Sequence, residues 1–318
     1  MQALLAPLAL LLERLVGYPN SLVARIGHPV MWIGRLISLL DLQLNRDANR
    51  RGKGVLALVI LLAATGLVTA AIAWLCRLIP YGFILEAILA STFLAQKALG
   101  DAVRFVAAAL RRSLPEGRTA VSHIVGRDPQ SLDEPGVARA AIESLAESTS
   151  DAVVAPLFWL VLLGLPGIAL YKAVNTADSM IGHKTERHLE FGWASARFDD
   201  LLNLIPARLT ALLIAGGAFF IKGAHPELAW STALRDARKH ESPNAGWPEA
   251  AMAGALGFRL GGPRSYDGEV VDLPSFGDGL AELGADDIDR SLRLYAVTLN
   301  LTLAVTVLVA LVVWRLAS

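Results

Sequence analysis

Acidic side chains recur at helical spacing immediately before a long apolar stretch. In ARAAIESLAESTSDAVVAPL, Glu143, Glu147 and Asp151 follow Arg139 at intervals of four residues, which places all four on one face of a helix. Three neighbouring carboxylates repel one another unless a cation lies between them, and Mg²⁺ takes oxygen ligands of this kind and bridges to phosphate groups. The spacing predicts a divalent-cation site here. A solvated helix face with an Arg–Glu pair is the alternative.

A second polar cluster, KAVNTADSMIGH, follows an apolar segment. Lys172, Asn175 and Ser179 share a helix face, and Asp178 is adjacent to it. An ammonium, an amide and a carboxylate at a membrane boundary can hold a phosphate–metal unit. The alternative is a water-facing helix end with a lysine that extends to the membrane surface.

A third cluster lies in FGWASARFDDLLNLIPAR. Asp199, Asp200 and Asn203 place oxygen atoms on neighbouring turns of a helix. Arg197 and Arg208 could each bind a carboxylate or a phosphate through two hydrogen bonds. An Asp-Asp pair is also common at a helix N-terminus, which is the alternative here.

Basic residues dominate RDARKHESPNAGWPE. Arg235, Arg238, Lys239 and His240 fall within six residues, and a turn that contains Asn244 follows them. A basic helix end that faces a loop suits an anionic ligand. A juxtamembrane patch that binds lipid headgroups is the alternative.

His123 stands between apolar neighbours in RTAVSHIVGRD. With Ser122 and Arg127 it could bind an anion or move a proton, although a histidine beside Val and Ile often has a structural role. The sequence contains no phosphate-binding G-x-x-x-x-G-K-[ST] motif, no H-E-x-x-H and no G-x-S-x-G. Any nucleotide chemistry would therefore need a non-standard site.

The composition is that of a membrane protein. Hydrophobic residues make up 54% of the 318 residues and charged residues 18%, and the mean hydropathy is +0.48. Soluble domains average about 25% charged residues. Net charge is zero and there is no long basic run, which argues against nucleic acid as a partner. The single cysteine, Cys76, lies in an apolar segment and is predicted to pack in the core.

The apolar segments predict an all-α, polytopic integral membrane protein with about four to six membrane helices, some of them re-entrant. The uncharged run 54–75 is long enough to cross about 30 Å of hydrocarbon, and 294–313 is a second clear span. Residues 83–99 form a weaker span because they carry two polar side chains. Basic residues in 41–53 place that loop in the cytoplasm by the positive-inside rule.

The topology of the middle of the chain is left open by the sequence. Gly164-Leu165-Pro166-Gly167 interrupts the apolar run 153–174, because Pro and Gly break helices. This run and 204–221 each either cross the membrane or dip in and return. We expect one membrane domain over 1–318, with polar regions at approximately 100–152, 175–202 and 222–292.

Local signals predict several element boundaries. Pro115-Glu116-Gly117 is typical of a turn. Pro135 suits the first turn of the helix that carries the acidic residues, and Thr149 or Ser150 could cap the helix that follows.

These clusters, in this order, resemble the CobD/CbiB family of cobalamin biosynthesis, the adenosylcobinamide-phosphate synthases. The resemblance covers nearly the whole chain. One departure lies near the start, where the family commonly has an aspartate and a Gly-Asp-Pro, whereas this chain has Glu13 and Gly17-Tyr18-Pro19. The matching phrases are HPVMWIGRLI, AVSHIVGRD, LDEPGVARAAIESLAESTSD, APLFW, LPG followed by ALYKAVNTADSMIGH, FGWASARFDDLLNLIPARLTA, and RDARKHESPNAGWPEAAMAGALGFRLGGP.

The resemblance implies an α-helical, multi-pass protein of the cytoplasmic membrane. It implies ATP-dependent amide formation between aminopropanol, or its O-phosphate, and a propionate carboxylate of (adenosyl)cobyric acid, giving cobinamide or its phosphate. The expected cofactors are ATP and Mg²⁺. The expected partners are the corrinoid, the amine and membrane lipid, and a partner subunit or a homo-oligomer is left open.

Residue roles are hypotheses from the chemistry rather than from the resemblance. The predicted catalytic residues are Glu143, Glu147 and His123, with Glu143 or His123 taking a proton from the amine. The predicted metal ligands are Glu147, Asp151, Asp178, Asp199 and Asp200. The predicted substrate- and phosphate-binding residues are Arg139, Lys172, Asn175, Ser179, Arg197, Arg235, Arg238 and Asn244. A membrane transporter or binding protein for an anionic ligand, and a non-enzymatic membrane sensor, are the competing functions.

Overall fold

The computed structural model describes residues 4–46, 48–125, 129–262, 264–266, 269–271 and 273–317. Its helices are α1 Leu5–Val16, α2 Asn20–Ile26, α3 Pro29–Leu44, α4 Arg50–Arg77, α5 Gly82–Ser91, α6 Gln96–Arg112, α7 Leu114–Val121, α8 Glu134–Thr149, α9 Ala155–Ile181, α10 Trp193–Ala218, α11 Pro226–Asp236, α12 Gly246–Leu256 and α13 Ala285–Ala317. A π-helical turn, Ser150–Val154, joins α8 to α9, and a 3₁₀ turn, Ala237–Lys239, follows α11. Two short antiparallel pairs join β1 (Leu260–Gly261) to β4 (Ser275–Phe276) and β2 (Arg264–Tyr266) to β3 (Glu269–Val271).

Five helical stretches in the described residues are long and apolar enough to cross a membrane. The predicted all-α, polytopic fold with about four to six membrane helices is therefore confirmed. The longest uncharged run lies in α4, whose 28 residues extend about 42 Å at 1.5 Å per residue. The five candidate spans are Arg50–Arg77, Gly82–Arg112, Glu134–Ile181, Trp193–Ala218 and Ala285–Leu316.

The chain divides into two compact units, each made of segments that are distant in sequence. Unit 1 comprises residues 1–95, 155–203 and 305–318, and unit 2 comprises residues 96–154 and 204–304. The expectation of one domain over 1–318 stays a prediction, because compactness alone does not show whether either unit folds by itself.

The second half of α9 packs along α4 in unit 1. The loop after α9 also approaches the start of α4 so closely that a methyl group on Gly54 would lie 2.0 Å from the Phe191 carbonyl oxygen. The apolar core that these helices share with α3 and the loop after α9 is formed by Ile37, Leu40, Ala57, Leu61, Ala173, Ala177, Ile181 and Phe191.

The loop after α9 lies at the N-terminal end of α4. Arg187 donates a hydrogen bond to Asp41 Oδ2 at 2.6 Å, and Asn45 Nδ2 donates to the Arg187 carbonyl at 3.1 Å. Burial alone would raise the pKa of the Asp41 carboxyl, and the hydrogen bonds from Asn45 and Arg187 lower that pKa below its usual value. This ordered contact places 182–192 at the same end of unit 1 as the basic loop 41–53.

Helix α9 is broken at Gly164, as the Pro and Gly content of the segment predicts. Gly164 has φ 66° and ψ −154°, a conformation that residues with a side chain rarely adopt. The chain turns back so sharply that a methyl group on Gly167 would lie 2.2 Å from the Trp159 carbonyl oxygen. The backbone N–H of Leu165, which begins the second half, donates to the buried carboxylate of Glu86. The predicted interruption at Gly164–Gly167 is confirmed, and a path that dips into the membrane and returns stays a prediction.

Unit 2 is built around α8 and α12. Every residue of α12 except Trp247 is buried, and a methyl group on Gly254 would lie 2.3 Å from the Leu228 carbonyl oxygen of α11. The N-terminus of α8 is capped by Asp133, which accepts from Gly136 N at 2.8 Å, with Pro135 in the first turn as expected.

Two local predictions are wrong. Pro115-Glu116-Gly117 forms the first turn of α7 rather than a loop, because Ser113 Oγ accepts the Glu116 N–H at 3.3 Å and caps the helix. Thr149 and Ser150 do not cap a new helix. The helix continues through the π turn, and Thr149 Oγ1 donates to the Leu145 carbonyl one turn earlier at 2.6 Å.

The reversal in α9 predicts unequal tolerance of two glycines. Gly167→Ala should lower the unfolding free energy by about 1–3 kcal/mol, because the added methyl group collides with backbone. Gly66→Ala in α4 is the matched control, since its methyl group would meet Leu170 at an ordinary 3.5 Å. Thermal unfolding of the detergent-purified variants measures the difference. Equal midpoints for the two variants would contradict the close contact.

Candidate functional site

The second and third polar clusters of the sequence meet in unit 1, on α9 and α10. Lys172 Nζ donates to Asn175 Oδ1 at 3.1 Å, and Asn175 Nδ2 contacts Asp199 Oδ1 at 3.5 Å. Asn203 Nδ2 donates to Asp199 Oδ2 at 2.9 Å. Asn175, Asp199 and Asn203 are buried. Residues of two different helices, α9 and α10, therefore form one polar network.

Tyr171 and His28 extend this network, and the sequence analysis did not assign either of them to the site. Tyr171 is almost fully buried, and its hydroxyl donates to Asn203 Oδ1 at 2.9 Å. His28 lies within electrostatic reach of Lys172. The polar–apolar pattern gave no signal for Tyr171, since a tyrosine beside a membrane segment is ordinarily read as packing.

His28 is held in its neutral form. Its Nδ1 accepts the Val30 N–H at 3.2 Å and caps α3, so the ring proton of the neutral imidazole is on Nε2. Burial lowers the pKa of His28 below 6.5, and the positive charge of Lys172 lowers that pKa further. His28 therefore offers an N–H donor at neutral pH.

Three carboxylates, including that of Asp199, lie in or beside the network. Asp178 interacts electrostatically with both Asp199 and Asp200, and Asp200 pairs with the exposed Arg197 at 3.4 Å. Ser179 donates to the carbonyl of Asn175 on its own helix at 2.9 Å. Among the described residues, no three His, Cys, Asp or Glu side chains are placed together as a ready-made metal site.

The acidic stripe of α8 lies in unit 2, and its members occupy different environments. Glu143 is buried, and its Oε1 accepts the Gly261 N–H at 2.7 Å. Arg139 Nη1 donates to the Gly261 carbonyl at 3.2 Å. The two side chains therefore bind the backbone N–H and C=O of one glycine residue, and they hold the glycine-rich segment in position. Glu147 is exposed, and Asp151 is half-buried.

A π-helical turn begins at the end of this stripe. It spans Ser150–Val154 and includes Asp151. The Ser150 hydroxyl is buried and has no hydrogen-bond partner among the residues that the structure describes. Single π turns occur frequently at functional sites, because they redirect side chains without ending the helix.

Some residues of the basic cluster are held in ion pairs with acidic side chains, and others are not. Asp236 is fully buried, and it accepts from Arg235 at 2.6 Å, from Lys239 at 2.7 Å and from Gly277 N at 2.9 Å. Burial alone would raise the pKa of the Asp236 carboxyl, but these three donors lower it well below its usual value. Arg235 also pairs with Asp278 at 2.5 Å. Arg235 and Lys239 therefore hold the chain together here.

Arg238 faces Arg208 instead of an acid. The two guanidinium groups are close enough to repel each other. Arg208 Nη1 donates to the buried Asn244 at 3.2 Å, and the Arg208 guanidinium lies 4.6 Å from the centre of the Trp247 ring. Neither arginine has a carboxylate partner in the described part of the chain. Such a pair suits a phosphate, whose charge would relieve the repulsion.

His123 is exposed in the turn after α7, and Ser122 Oγ donates to the Thr119 carbonyl at 2.7 Å. Arg127, the third member of that predicted cluster, is outside the described residues. The catalytic assignment of His123 stays a prediction.

The hypothesis of a shared metal combines residues of both units. Glu147 and Asp151 belong to unit 2, whereas Asp178, Asp199 and Asp200 belong to unit 1. It stays a prediction. Within unit 1, the network offers an ammonium, two amides and three carboxylates; within unit 2, the arginine pair offers an anion site.

The neutral state of His28 predicts a pH dependence of stability. Its pKa is lower in the folded protein than in the unfolded chain, so the unfolded chain binds more protons as the pH falls below about 6.5. The stability associated with His28 is present above that pH and is lost as the pH falls through the folded-state pKa. Asparagine caps helices without titrating, so the unfolding temperature of His28→Asn should fall less than that of the unchanged protein between about pH 7.5 and 5.5.

Replacement of the exposed His225 by Asn is the matched control for this measurement. It should leave the slope of unfolding temperature against pH unchanged. Parallel slopes for the unchanged protein and His28→Asn would show that His28 does not titrate as inferred.

Known proteins were compared with the whole chain. The model of the CobD/Cbib protein family matches residues 6–295. A cobalamin biosynthesis protein CobD of Sinorhizobium sp is 51% identical over 307 residues, which cover 92% of this chain and 93% of that protein. The CobD protein of Rhizobium meliloti (strain 1021) is 50% identical over 300 residues, with 92% of each chain covered. That of Rhodobacter capsulatus is 51% identical over 283 residues, with 88% of each covered.

No solved structure matches the chain. The family match extends over most of the sequence, and these relatives are similar over nearly their full lengths. The chain therefore belongs to the CobD/CbiB family.

Proposed function

We propose that this protein acts in cobalamin biosynthesis as an ATP-dependent acid–amine ligase of the cell membrane. It would join aminopropanol or its O-phosphate to a propionate carboxylate of (adenosyl)cobyric acid, giving cobinamide or its phosphate. Membership of the CobD/CbiB family supports the role in cobalamin biosynthesis. The amide-forming step rests on the chemistry of the side chains described above.

The buried network of α9 and α10 is the observation that carries this proposal. A carboxylate does not condense with an amine until one of its oxygens becomes a leaving group. Transfer of the γ-phosphoryl group of ATP to the propionate would form an acyl phosphate and ADP, and attack by the amine would then release phosphate. Lys172 donates to Asn175 at 3.1 Å, and Asn175 contacts Asp199, so the ammonium group of Lys172 could neutralise a phosphoryl group bound here.

The carboxylates present fit Mg²⁺. This ion is usually held by one or two carboxylates and substrate phosphates, and it keeps several waters, so a ready-made group of three protein ligands is not required. When bound, it would neutralise the triphosphate. Asp199, fixed by Asn203 and Asn175, and its neighbours Asp178 and Asp200 would hold it in unit 1.

The arginine pair of unit 2 supports phosphate binding independently. Arg238 and Arg208 have no acidic partner among the described residues, and Asn244 fixes Arg208. Arg235, in contrast, is paired with two aspartates. Among the predicted phosphate ligands of the basic cluster, Arg238 and Asn244 are therefore better supported than Arg235.

A transporter for an anionic ligand is the second candidate, and the break in α9 favours it. Transporters place discontinuous helices at their binding sites, and Gly164 interrupts α9 beside the buried Glu86. Incubating the purified protein with cobyric acid, ATP, Mg²⁺ and aminopropanol phosphate separates the two functions. ADP release that depends on both substrates, with cobinamide phosphate as product, supports the ligase. Ligand uptake into proteoliposomes without amide formation supports the transporter.

The ligase proposal predicts which acids are indispensable. Glu147→Ala, Asp151→Ala and Asp199→Asn should each reduce product formation by at least about 100-fold, because each removes a predicted catalytic or metal-binding carboxylate. Glu227→Ala, which removes an exposed acid of α11, is the control and should keep full activity. Membrane extraction and thermal unfolding should show all four variants inserted and folded. Normal turnover by the Glu147 and Asp151 variants would remove both from the mechanism.

A ligase that uses cytoplasmic ATP also predicts a topology. In a Cys76→Ser background, which lacks other cysteines, Ser131→Cys, Glu186→Cys and Glu241→Cys should all react with a membrane-impermeant maleimide only when the cytoplasmic side is exposed. These positions precede the acidic stripe, follow α9 and follow the basic cluster. Labelling of positions 131 and 241 from opposite sides would exclude a nucleotide site shared by those two clusters.

A further inference from the structure

A cationic cavity lies in unit 2, beyond the end of α10. Its volume is about 340 Å³. The lining combines basic and apolar side chains: Phe220, Ile221, Lys222, Leu256, Arg290 and Arg293, with the backbone of Gly223. None of these residues was part of the site predicted from sequence.

The charge of this cavity is only partly neutralised. Arg290 is held in place, since it donates to Asp287 Oδ1 at 3.2 Å and to the Leu256 carbonyl at 3.1 Å, and its guanidinium lies 5.0 Å from the centre of the Phe258 ring. Lys222 and Arg293 have no ion-pair partner within the described part of the chain. Two positive charges therefore remain to attract an anion.

The nearby acidic side chains of α13 do not neutralise Lys222 and Arg293. Asp286 and Asp289 each accept from Arg111 of α6 at 2.6 Å. Their charge is directed to another cation, so they do not offset Lys222 and Arg293.

The position of the cavity in the sequence is that of a membrane boundary. The membrane span of α10 ends at Ala218, and the next two residues, Phe219 and Phe220, are 74% and 70% exposed. Arg290 and Arg293 precede the uncharged part of the last span, which starts at Leu294. Basic residues beside the ends of two spans lie at the depth of the lipid headgroups.

We propose that this cavity binds the phosphate group of an anionic phospholipid, with the phenyl rings of Phe219 and Phe220 inserted among its acyl chains. Basic pockets next to membrane helices recognise such headgroups. A free phosphate ion would use the cations alone. A phospholipid accounts for both features, because its headgroup and chains have the same polar–apolar order as the cavity and the rings.

The test compares lipid binding by two double variants. Lys222→Gln/Arg293→Gln removes the two uncompensated cations. Arg104→Gln/Arg112→Gln removes two exposed arginines of α6 that are ion-paired outside the cavity, so the change in net charge is the same. Native mass spectrometry of the full chain, titrated with phosphatidylglycerol or phosphatidylcholine, gives the affinity for each lipid.

Phosphatidylglycerol should bind the unchanged protein more tightly than phosphatidylcholine. The cavity variant should bind it roughly 30-fold more weakly, as expected for two basic groups at about 1 kcal/mol each. The α6 variant should bind it as the unchanged protein does. Equal affinity for the two lipids, or equal weakening in both variants, would overturn the proposal. Thermal unfolding in detergent confirms that each variant is folded.

A second comparison separates the two sources of phosphate. Phe219→Ser/Phe220→Ser should weaken phosphatidylglycerol binding while the cations remain. Inorganic phosphate should not displace the lipid from the unchanged protein. Displacement by inorganic phosphate, with lipid binding unaffected by loss of the phenyl rings, would mean a site for a free anion and would overturn the lipid assignment.

Discussion

Polar groups at membrane depth must find partners within the protein, because hydrocarbon offers none. One example is the carboxylate of Glu86, which accepts the N–H that the break in α9 exposes at Leu165, while its Oε1 has no hydrogen-bond partner among the described residues. Threonines follow the same rule more simply, since Thr69, Thr210 and Thr298 each donate to a carbonyl one turn back on their own helix. The polar network of α9 and α10 satisfies it by pairing side chains with one another. A ligand could bind inside such a network by replacing some of these hydrogen bonds with its own.

The sequence was informative wherever a local rule decides the structure. Proline and glycine predicted the break at Gly164–Gly167, and uncharged length predicted the spans. It was misleading at Pro115, where the turn signal is also the start of a helix. The pair Ser113 and Glu116, at capping-box spacing, was the available sign. Long-range contacts were out of reach: nothing local indicates that Arg187 binds Asp41, 146 residues away in the chain.

In the candidate site, too, the sequence predicted contacts within one helix but not contacts between helices. Spacing along one helix correctly grouped Lys172 with Asn175, and Asp199 with Asn203, because each pair lies within one turn. It could not show that the two pairs join. Composition also could not separate structural from available cations. Arg235 and Arg238 are three residues apart and look equivalent, yet one is neutralised by Asp236 and the other faces a second arginine.

The grip of Arg139 and Glu143 on Gly261 uses backbone atoms of that glycine and no side chain. In the same place, β1 pairs with β4 through Leu260 with Phe276 and Gly261 with Ser275. The two ends of the stretch between these strands are therefore fixed next to each other. The two ends of the intervening stretch are therefore held in place by contacts that do not involve its own side chains. The same property makes it a suitable place to splice in an epitope tag for purification.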